Sequence, residues 1–395
     1  MTEWQIFDTF VLIVATFPFI YYLLAIFSSL RFFSRRLQSN PDFTPPISVL
    51  KPVRGLDDGA YKNFSSLCRL DYPDYELLFC VGSSDDPNVP VIEKLARDFP
   101  DRTIRLLIGS NPSATNDKVS KLSRLANEAK HSYLAFSDSD IRVEPGYLRT
   151  VVAPLRHTQV GAVTCLYLQT DEKSFASSLQ TIGLVSDFYA SLAVARLLDG
   201  VKFALGSTIV TRKDILAEAG LFAAIENKPA DDMLVGRLIA EQGYQVELLP
   251  YAVHAAADFE SMRGFLAKRM RWAVVQKNMR PWGHIGLLLT LGLLWSLVAI
   301  AAHPTMAVGA AYLGSYLFLR LLMTGVIAIW GLRQPSILKK LWLIPIWDAL
   351  AMIILLVSFA QNRVRWRDGE YVIHNGTLAP VVESAQKESV ANPAP

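Results

Sequence analysis

The stretch YLAFSDSD, from Tyr133 to Asp140, decides the fold of this 395-residue chain. Its first part, Tyr133 to Ser137, is apolar up to the final serine and shows no polar alternation, which is typical of a buried parallel strand. Two carboxylates, Asp138 and Asp140, follow at once. The sequence therefore predicts a buried strand that delivers acidic side chains to one edge of a sheet.

Three more apolar runs of this kind precede that strand. They are Ile47 to Lys51, Glu76 to Val81 and Thr103 to Ile108, and helical patterns lie between the runs near residues 58–68, 88–99 and 117–130. Strands that alternate with helices form right-handed βαβ units and a mostly parallel sheet, which binds ligands at the carboxyl ends of its strands. The predicted fold class is α/β. The absence of a GxGxxG or Walker-type loop after the first run argues against a Rossmann dinucleotide site and a P-loop.

The segment Asp138-Ser139-Asp140 is the first candidate site. In an extended segment, alternate residues point the same way, so both carboxylates can face one point. Such hard oxygen ligands suit Mg2+ or Mn2+, and the cation can neutralise a nucleotide diphosphate. Aspartate also caps turns, so a turn without a metal is the alternative.

A second acidic loop, which contains Asp85 and Asp86, follows the second predicted strand. We expect Asp86 to accept a hydrogen bond from a uracil or ribose group, or else to cap the helix after Pro87. Two lysines lie at comparable positions, Lys51 at a strand end and Lys118 at a helix start. They are candidates for phosphate binding, with a solvated surface lysine as the alternative.

The pair Asp231-Asp232 opens an apolar helical pattern that extends to about Gln242. One aspartate there is an ordinary helix N-cap. The other is then free to project into a cleft as a general base, which an alcohol nucleophile needs because it is hardly ionised at neutral pH. We expect Asp232 to be that base.

A basic and aromatic group, Lys268-Arg269-Met270-Arg271-Trp272, lies on an amphipathic stretch from Ser261 to Met279. Such residues commonly anchor a helix at a membrane surface, and this is the alternative to a catalytic role. As site residues, Arg271 would neutralise a diphosphate and Trp272 would line an acceptor pocket.

Composition indicates a globular domain joined to membrane segments. The chain is 51% hydrophobic and 19% charged, with a formal net charge of +3, which excludes a disordered chain and a purely soluble one. No block of basic residues supports a nucleic-acid partner. The three cysteines, Cys68, Cys80 and Cys165, show no paired spacing, so we expect core thiols in a reducing compartment.

The first membrane segment runs from Thr9 to Leu30 without a charge, long enough to cross the ~30 Å hydrocarbon layer. Basic residues follow it at Arg31, Arg35 and Arg36, which predicts an uncleaved anchor with the rest of the chain beginning in the cytoplasm. The predicted divisions are an anchor (1–40), a catalytic domain (41–280), a membrane region (281–362) and a tail (363–395).

Three apolar segments lie near the C-terminus, at about 284–302 and 306–330 and from Leu341 to Phe359. Asp348 is costly in lipid unless it faces other helices. Three full crossings would leave Arg363, Arg365 and Arg367 outside, against the charge rule, so a re-entrant last segment is the alternative. We expect three full spans and a disordered tail after Leu378.

The ordered set Lys51-Pro52, Asp86, Asp138-Ser139-Asp140, Asp232 and Lys268-xx-Arg271-Trp272, between an N-terminal anchor and C-terminal membrane helices, resembles the ceramide glucosyltransferases. Leu70-Asp71-Tyr72-Pro73, Asp140-Ile141-Arg142-Val143 and Arg212-Lys213-Asp214 add to the resemblance, which extends to about residue 375. That family has a GT-A, Rossmann-like domain and a D, D, D, (Q/R)xxRW signature. A closely similar bacterial family glycosylates hopanoid lipids.

The resemblance implies transfer of glucose from UDP-glucose to ceramide or a similar lipid, with inversion, by a cytoplasm-facing multi-pass membrane enzyme. Asp86 would bind uridine, Asp138 with Asp140 would hold a divalent cation and the donor, and Asp232 would be the base. Arg271 and Trp272 would complete the site. Two positions depart from the family pattern, since Lys268 replaces Gln or Arg and Asp140 stands where animal members often have Gly. The second departure favours the bacterial branch.

Three alternatives remain open at this point. The protein would transfer N-acetylglucosamine to a hopanoid, act as a processive polysaccharide synthase, or serve as a catalytically dead membrane scaffold. Intact Asp138, Asp140 and Asp232 argue against the scaffold, and few C-terminal spans argue against the synthase. Phe188 and Tyr189, on an apolar helix from about Phe175 to Leu198, are candidates to line a lipid entrance, unless that helix belongs to the core.

Overall fold

A computed structural model describes residues 3–37, 42–110, 115–218, 220–256, 261–366, 369–374 and 376–380. Its α-helices are α1 Glu3–Val14, α2 Phe17–Phe33, α3 Ala60–Cys68, α4 Val89–Asp98, α5 Asp117–Glu128, α6 Tyr147–Val152, α7 Phe175–Gly183, α8 Tyr189–Asp199, α9 Lys213–Glu218, α10 Leu221–Ile225, α11 Asp231–Glu241, α12 Met262–Met279, α13 Pro281–Gly286, α14 Gly292–Ala302, α15 Met306–Gly325 and α16 Ile344–Ala360. Its strands are β1 Ile47–Pro52, β2 Tyr75–Val81, β3 Thr103–Ile108, β4 Tyr133–Phe136, β5 Ile141–Arg142, β6 Val160–Thr170, β7 Ile209–Arg212, β8 Gln245–Ala256, β9 Arg363–Trp366, β10 Gly369–His374 and β11 Thr377–Pro380.

The first four strands form the parallel half of an eight-stranded sheet with the order β3-β2-β1-β4-β7-β6-β8-β5. Each of them lies within a residue or two of its predicted bounds, and α3, α4 and α5 connect them as expected. The inner strands β1 and β2 are buried along their whole length, which explains their continuously apolar sequence. The α/β prediction is confirmed.

The second half of the sheet contains both parallel and antiparallel strand pairs, and its strands flank the end of β4. Strand β7 pairs antiparallel with β4, and β6 pairs parallel with β8. Ala256 at the end of β8 donates its backbone N–H to the Asp140 carbonyl at 3.0 Å. The acidic segment after β4 is therefore held from both sides at the carboxyl edge of the sheet.

Cys68, Cys80 and Cys165 are buried free thiols, as predicted. Apolar contacts explain their position, because each belongs to one of the two core clusters on either side of the sheet. Burial raises the pKa of each thiol, to about 11 for Cys80, so all three stay protonated.

Four helical segments in the described ranges are long and apolar enough to cross a membrane: Ile6–Phe33, Phe175–Asp199, Met306–Gly331 and Pro335–Ala360. The first, third and fourth correspond to predicted spans. The segment predicted at 284–302 is not one straight helix, since Pro281–Thr290 and Gly292–Ala302 meet at a bend of 55°. Phe175–Asp199 is mostly buried inside the protein and is interrupted by a π-helical turn, Leu184–Phe188.

Residues 363–380, which we expected to belong to a tail, form a three-stranded antiparallel sheet of β9, β10 and β11. Val364, Ile373 and Leu378 pack on Val274 of α12, because alternate side chains of these strands point to one face. The Leu378 N–H also donates to the Asn227 carbonyl at 2.9 Å, just before α11. Disorder was predicted after Leu378, which is wrong for Ala379 and Pro380 because they belong to β11. Residues from 381 onwards lie outside the described ranges, as does Arg367.

Both ends of α16 contact the same part of the protein as this small sheet. Near its start, the Trp347 ring lies 6.3 Å from that of Phe265 on α12, and near its end Lys277 donates to the Ser358 carbonyl at 2.8 Å. The two helices therefore lie side by side over this length. The re-entrant alternative for the last segment stays a prediction, and the bent pair Pro281–Thr290 and Gly292–Ala302 fits either a broken span or a re-entrant loop.

Candidate active site

The turn before β7 joins two of the predicted carboxylates. Asp138 donates its backbone N–H to the Gly206 carbonyl at 2.9 Å. Gly206 in turn donates its N–H to Asp232 Oδ2 at 2.8 Å. One residue thereby fixes the end of β4 against the start of α11, and the candidate base lies beside the candidate metal ligand.

Glycine is the only residue type that fits at position 206 without displacing a neighbouring side chain. A Cβ atom there would lie 2.7 Å from Asp138 Oδ2 and 3.3 Å from Asp232 Oδ2. The first distance is too short for any ordinary contact, so a side chain would push one of the carboxylates away. No local sequence pattern indicates this role, because Gly206 is distant in the chain from both aspartates.

Lys118 bridges the acidic cluster. Its Nζ lies 2.7 Å from Asp138 Oδ1 and 2.8 Å from Asp231 Oδ2. Burial lowers the pKa of Lys118, but Asp138, Asp231 and Asp232 raise it further, so that it stands well above its ordinary value. The lysine is therefore a permanent cation in the site, and it is not the solvated surface lysine of the alternative reading.

The pKa of the Asp232 carboxyl is raised above its ordinary value. Burial, and next the negative charge of Asp231, raise the pKa of Asp232 to about 6, while Lys118 opposes the shift. A carboxyl with this value is ionised at neutral pH and can still accept a proton, as a general base must. The helix N-cap is Ala230, at a positive φ of 56°, and neither aspartate. The prediction that one aspartate caps α11 is wrong, since both already lie within its first turn.

Lys51 is buried, with 1% exposure, and binds the segment that contains Asp138. Its Nζ donates to Ser137 Oγ at 2.7 Å and to the Asp138 carbonyl at 2.6 Å. Burial lowers its pKa to about 8, against the opposing charges of Asp140, Asp138 and Asp57. Asp57, which the sequence analysis missed, follows β1 and accepts a hydrogen bond from Ser139 Oγ at 2.5 Å.

Asp86 lies in the loop after β2, beside the loop after β1. Its Oδ2 accepts the Gly55 N–H at 3.1 Å, and its Oδ1 accepts the Asn88 N–H at 3.0 Å. These bonds tie the two loops together, and since the N-cap of α4 is Asn88, Asp86 forms a turn before that helix and does not cap it. They leave a carboxylate at the same edge of the sheet as Asp138, without a direct contact between the two among the described bonds.

The signature residues lie on α12, where Ser261 caps the first turn through its side chain. Lys268 Nζ and the Arg269 guanidinium lie over the Trp272 ring, at 5.6 and 5.4 Å from its centroid. Arg271 is half-buried in the same helix. The structure groups Lys268, Arg269 and Trp272 as one cation–π cluster on α12.

The sequence profile of glycosyl transferase family 21 matches residues 10–379. The chain belongs to glycosyl transferase family 21. As a family 21 glycosyltransferase, it resembles ceramide glucosyltransferase 3 of Caenorhabditis elegans, with 24% identity over 341 residues, 83% of this chain and 72% of the relative. Ceramide glucosyltransferase 1 of that organism is 24% identical over 75% of this chain and 62% of its own length. The Komagataella phaffii ceramide glucosyltransferase is 25% identical over 63% of this chain and 60% of its own length.

A solved structure shows the fold of this family 21 chain. It is a mannosyltransferase of Pyrobaculum calidifontis in complex with GDP-Man and Mn2+, with a TM-score of 0.52 and 18% identity over 88% of this chain and 98% of that one. The predicted GT-A-like fold with membrane helices is confirmed, and so is the enzyme class, a glycosyltransferase.

Replacing Gly206 with alanine should lower the transferase rate by about 10- to 100-fold, because a displacement of ~1 Å at catalytic groups has that effect. The rate is measured with the purified full-length protein, alongside its thermal unfolding midpoint. Gly146→Ala is the matched control, since a Cβ at Gly146 meets nothing within 4 Å. Equal rates for the two variants would show that the Gly206 turn does not position the carboxylates.

Proposed function

We propose that this enzyme transfers glucose from UDP-glucose to the hydroxyl of ceramide or a similar lipid, with inversion at the anomeric carbon. The observation that carries the proposal is Asp232, a half-buried carboxyl with a raised pKa that Gly206 holds beside Asp138. The family and the relatives named above support a lipid acceptor and a nucleotide-sugar donor.

Asp232 accepts the proton of the lipid hydroxyl as that oxygen attacks the anomeric carbon from the side opposite the leaving diphosphate. A single displacement with one base gives inversion. Lys118, with its permanent charge, pairs with Asp138 and with Asp231 next to the base, so it stabilises the ionised carboxylates before reaction and the diphosphate charge during it.

The donor site comprises the groups at the carboxyl edge of the sheet. Asp86 binds the uridine part, and Lys51 shapes the Asp138 loop through its bonds to Ser137 and the Asp138 carbonyl. Arg271 approaches the diphosphate, and Trp272 lines the acceptor side, with Lys268 held on its ring.

A divalent cation, Mg2+ or Mn2+, fits the residues present. Asp138 and Asp140 supply hard carboxylate oxygens, and the lysine ammonium on Asp138 shows that this cluster attracts a cation. Within the described ranges, no three His, Cys, Asp or Glu side chains are grouped to hold a metal by themselves, so the donor diphosphate and water would complete the coordination. Bound there, the cation would neutralise the diphosphate as it leaves.

Chelation tests this cation. With EDTA in excess, transfer should fall by at least about 100-fold, because electrostatic stabilisation of the leaving group is worth that much, and Mg2+ or Mn2+ should restore it. Asp138→Asn and Asp140→Asn should raise the metal concentration needed for half-maximal rate. Turnover that EDTA leaves unchanged would show that the two aspartates hold no metal.

The membrane segments suit an enzyme whose acceptor is a lipid of the bilayer. A lipid with two alkyl chains stays in the bilayer, so the catalytic domain has to lie at the membrane surface. We place that domain, residues 41–280, on the cytoplasmic side because Arg31, Arg35 and Arg36 follow the first membrane helix.

Transfer of N-acetylglucosamine to a hopanoid is the second candidate, favoured by Asp140 at a position where animal members often have Gly. The deciding assay uses the purified full-length protein in detergent with radiolabelled UDP-glucose or UDP-N-acetylglucosamine, against ceramide, diacylglycerol and a hopanoid polyol. Label in ceramide from UDP-glucose supports the first candidate, and label in the hopanoid supports the second. No lipid labelled from either donor would reject both.

A further inference from the structure

The π-helical turn Leu184–Phe188 presents a carboxylate, Asp187, between the catalytic domain and the membrane helices. Trp347 donates its ring N–H to Asp187 Oδ2 at 2.5 Å, and Arg320 Nη2 lies 2.9 Å from Oδ1. The Asp187 side chain nevertheless keeps 41% exposure. A carboxylate has about four lone-pair positions, so two donors leave Asp187 able to accept further hydrogen bonds.

A chain of contacts connects Asp187 to the active site. The Arg269 guanidinium lies 4.4 Å from the centroid of the Trp347 ring that binds Asp187. On the other side, Tyr167 packs edge-on against Tyr189, at 6.4 Å between ring centroids. Met233, next to the base Asp232, belongs to the same apolar cluster as Tyr167 and Phe188.

Tyr167 and Arg269 supply hydrogen-bond donors along this path. Burial raises the pKa of Tyr167 far above the neutral range, so its hydroxyl keeps its proton, although Arg269 opposes the shift. The charges of Asp140, Asp138 and Asp232 raise this pKa further. Burial lowers the pKa of Arg269 to about 10, and it remains a cation at neutral pH.

The charges along this path balance. Two arginines, Arg269 and Arg320, face two carboxylates, Asp187 and Asp348. A region with no net charge and with both donors and acceptors suits an uncharged polar headgroup, whereas a phosphate would need a net positive site. Tyr189, with 2% exposure, is part of the core here and does not line an entrance.

We propose that Asp187, Arg269 and Tyr167 form the headgroup subsite for an uncharged acceptor lipid that carries a second hydrogen-bond donor beside the hydroxyl that receives the sugar. This inference rests on the proposed function. Ceramide meets the requirement through its amide N–H and second hydroxyl, whereas diacylglycerol has one hydroxyl and no other donor. Asp187 accepts the additional hydrogen bond, and Tyr167 and Arg269 orient the headgroup toward Asp232.

The test compares ceramide with diacylglycerol of matched chain length, using the full-length protein in detergent and radiolabelled UDP-glucose. Asp187→Asn should lower kcat/KM for ceramide by about 10- to 100-fold, the usual cost of losing a hydrogen bond to a charged group. It should leave kcat/KM for diacylglycerol and the KM for UDP-glucose unchanged. Asp199→Asn, on the same helical segment and exposed beside Lys202, is the matched control and should match the parent protein.

Asp187→Asn also breaks the ion pair with Arg320, which lowers stability. Tyr167→Phe therefore provides a second measurement. It removes only a hydroxyl and should raise the KM for ceramide by about 3- to 10-fold without changing the KM for UDP-glucose. If both variants keep the parental preference for ceramide, or slow both lipids alike, the subsite is rejected while the proposed function stands. If the parent protein labels neither lipid, the proposed function fails and the subsite with it.

Discussion

Replacing Asp232 with asparagine should reduce sugar transfer by at least about 1,000-fold, which is within the range for loss of a general base. Asparagine keeps the shape of the side chain and can still accept the Gly206 N–H, so the turn that joins Asp138 to α11 should survive. It cannot take a proton from the lipid hydroxyl. The measurement is the initial rate with saturating donor and lipid, together with the KM for the donor, which should change little.

The pH dependence of the parent protein tests the same assignment. A base works only when deprotonated, so kcat should be constant above the pKa of Asp232 and should fall as pH drops through about 6. Asp231→Asn is the matched control, because it lies next to the base and is bound to Lys118. It should cost much less activity and should move the acid limb to lower pH, since the Asp231 charge raises the pKa of Asp232. A large loss in both variants would contradict the division of roles between the two aspartates.

The sequence predicted the parallel half of the fold because its signals are local. Strands β1, β2 and β4 are buried, so their apolar runs are continuous, whereas β3, predicted to be buried, is a half-buried edge strand. The residues that follow these strands are brought to one edge by the sheet topology. Asp86 and Asp138 lie at the same edge for this reason, and Lys118, at the start of α5, pairs with Asp138 and with Asp231 of α11. Topology rules for α/β proteins are sufficient for this part of the site.

Other features depend on contacts that no local pattern contains. Gly206 matters only because two distant carboxylates lie against its backbone. Ala230 replaces an aspartate as the cap of α11 because the chain enters that helix at a positive φ. The small sheet after residue 362 consists of short strands whose apolar side chains pack against α12, a helix distant in the chain.

The sequence indicated only one partner of the ion pair within the membrane helices. Asp348 is costly in lipid unless it faces other helices, and the structure identifies its partner as Arg320 of α15, which no sequence pattern singled out. Arg320 Nε lies 2.9 Å from Asp348 Oδ2, and Tyr316 donates to the same oxygen at 2.7 Å. Arg320 also donates to the Ser186 carbonyl at 2.6 Å, which connects the membrane helices to the π-helical turn.

Replacing Arg320 with methionine should therefore destabilise the protein by about 3–5 kcal/mol, the usual cost of leaving a buried charge without its partner. Arg320 has 2% exposure, so water cannot take the place of the lost guanidinium. Both Asp348 and Asp187 would lose their main cation. The measurement is the thermal unfolding midpoint of the detergent-solubilised protein, followed by tryptophan fluorescence.

A second substitution separates charge from packing in that result. Asp348→Asn combined with Arg320→Met removes one of the two stranded carboxylates, so the double variant should regain part of the lost stability if charge is the cause. Arg333→Met, at an exposed arginine beyond the end of the same helical segment, is the control and should leave the midpoint unchanged. If the double variant is as unstable as the sum of its single substitutions, the cost comes from packing around Arg320, and the buried ion pair is not what joins α15 to α16 and the π-helical turn.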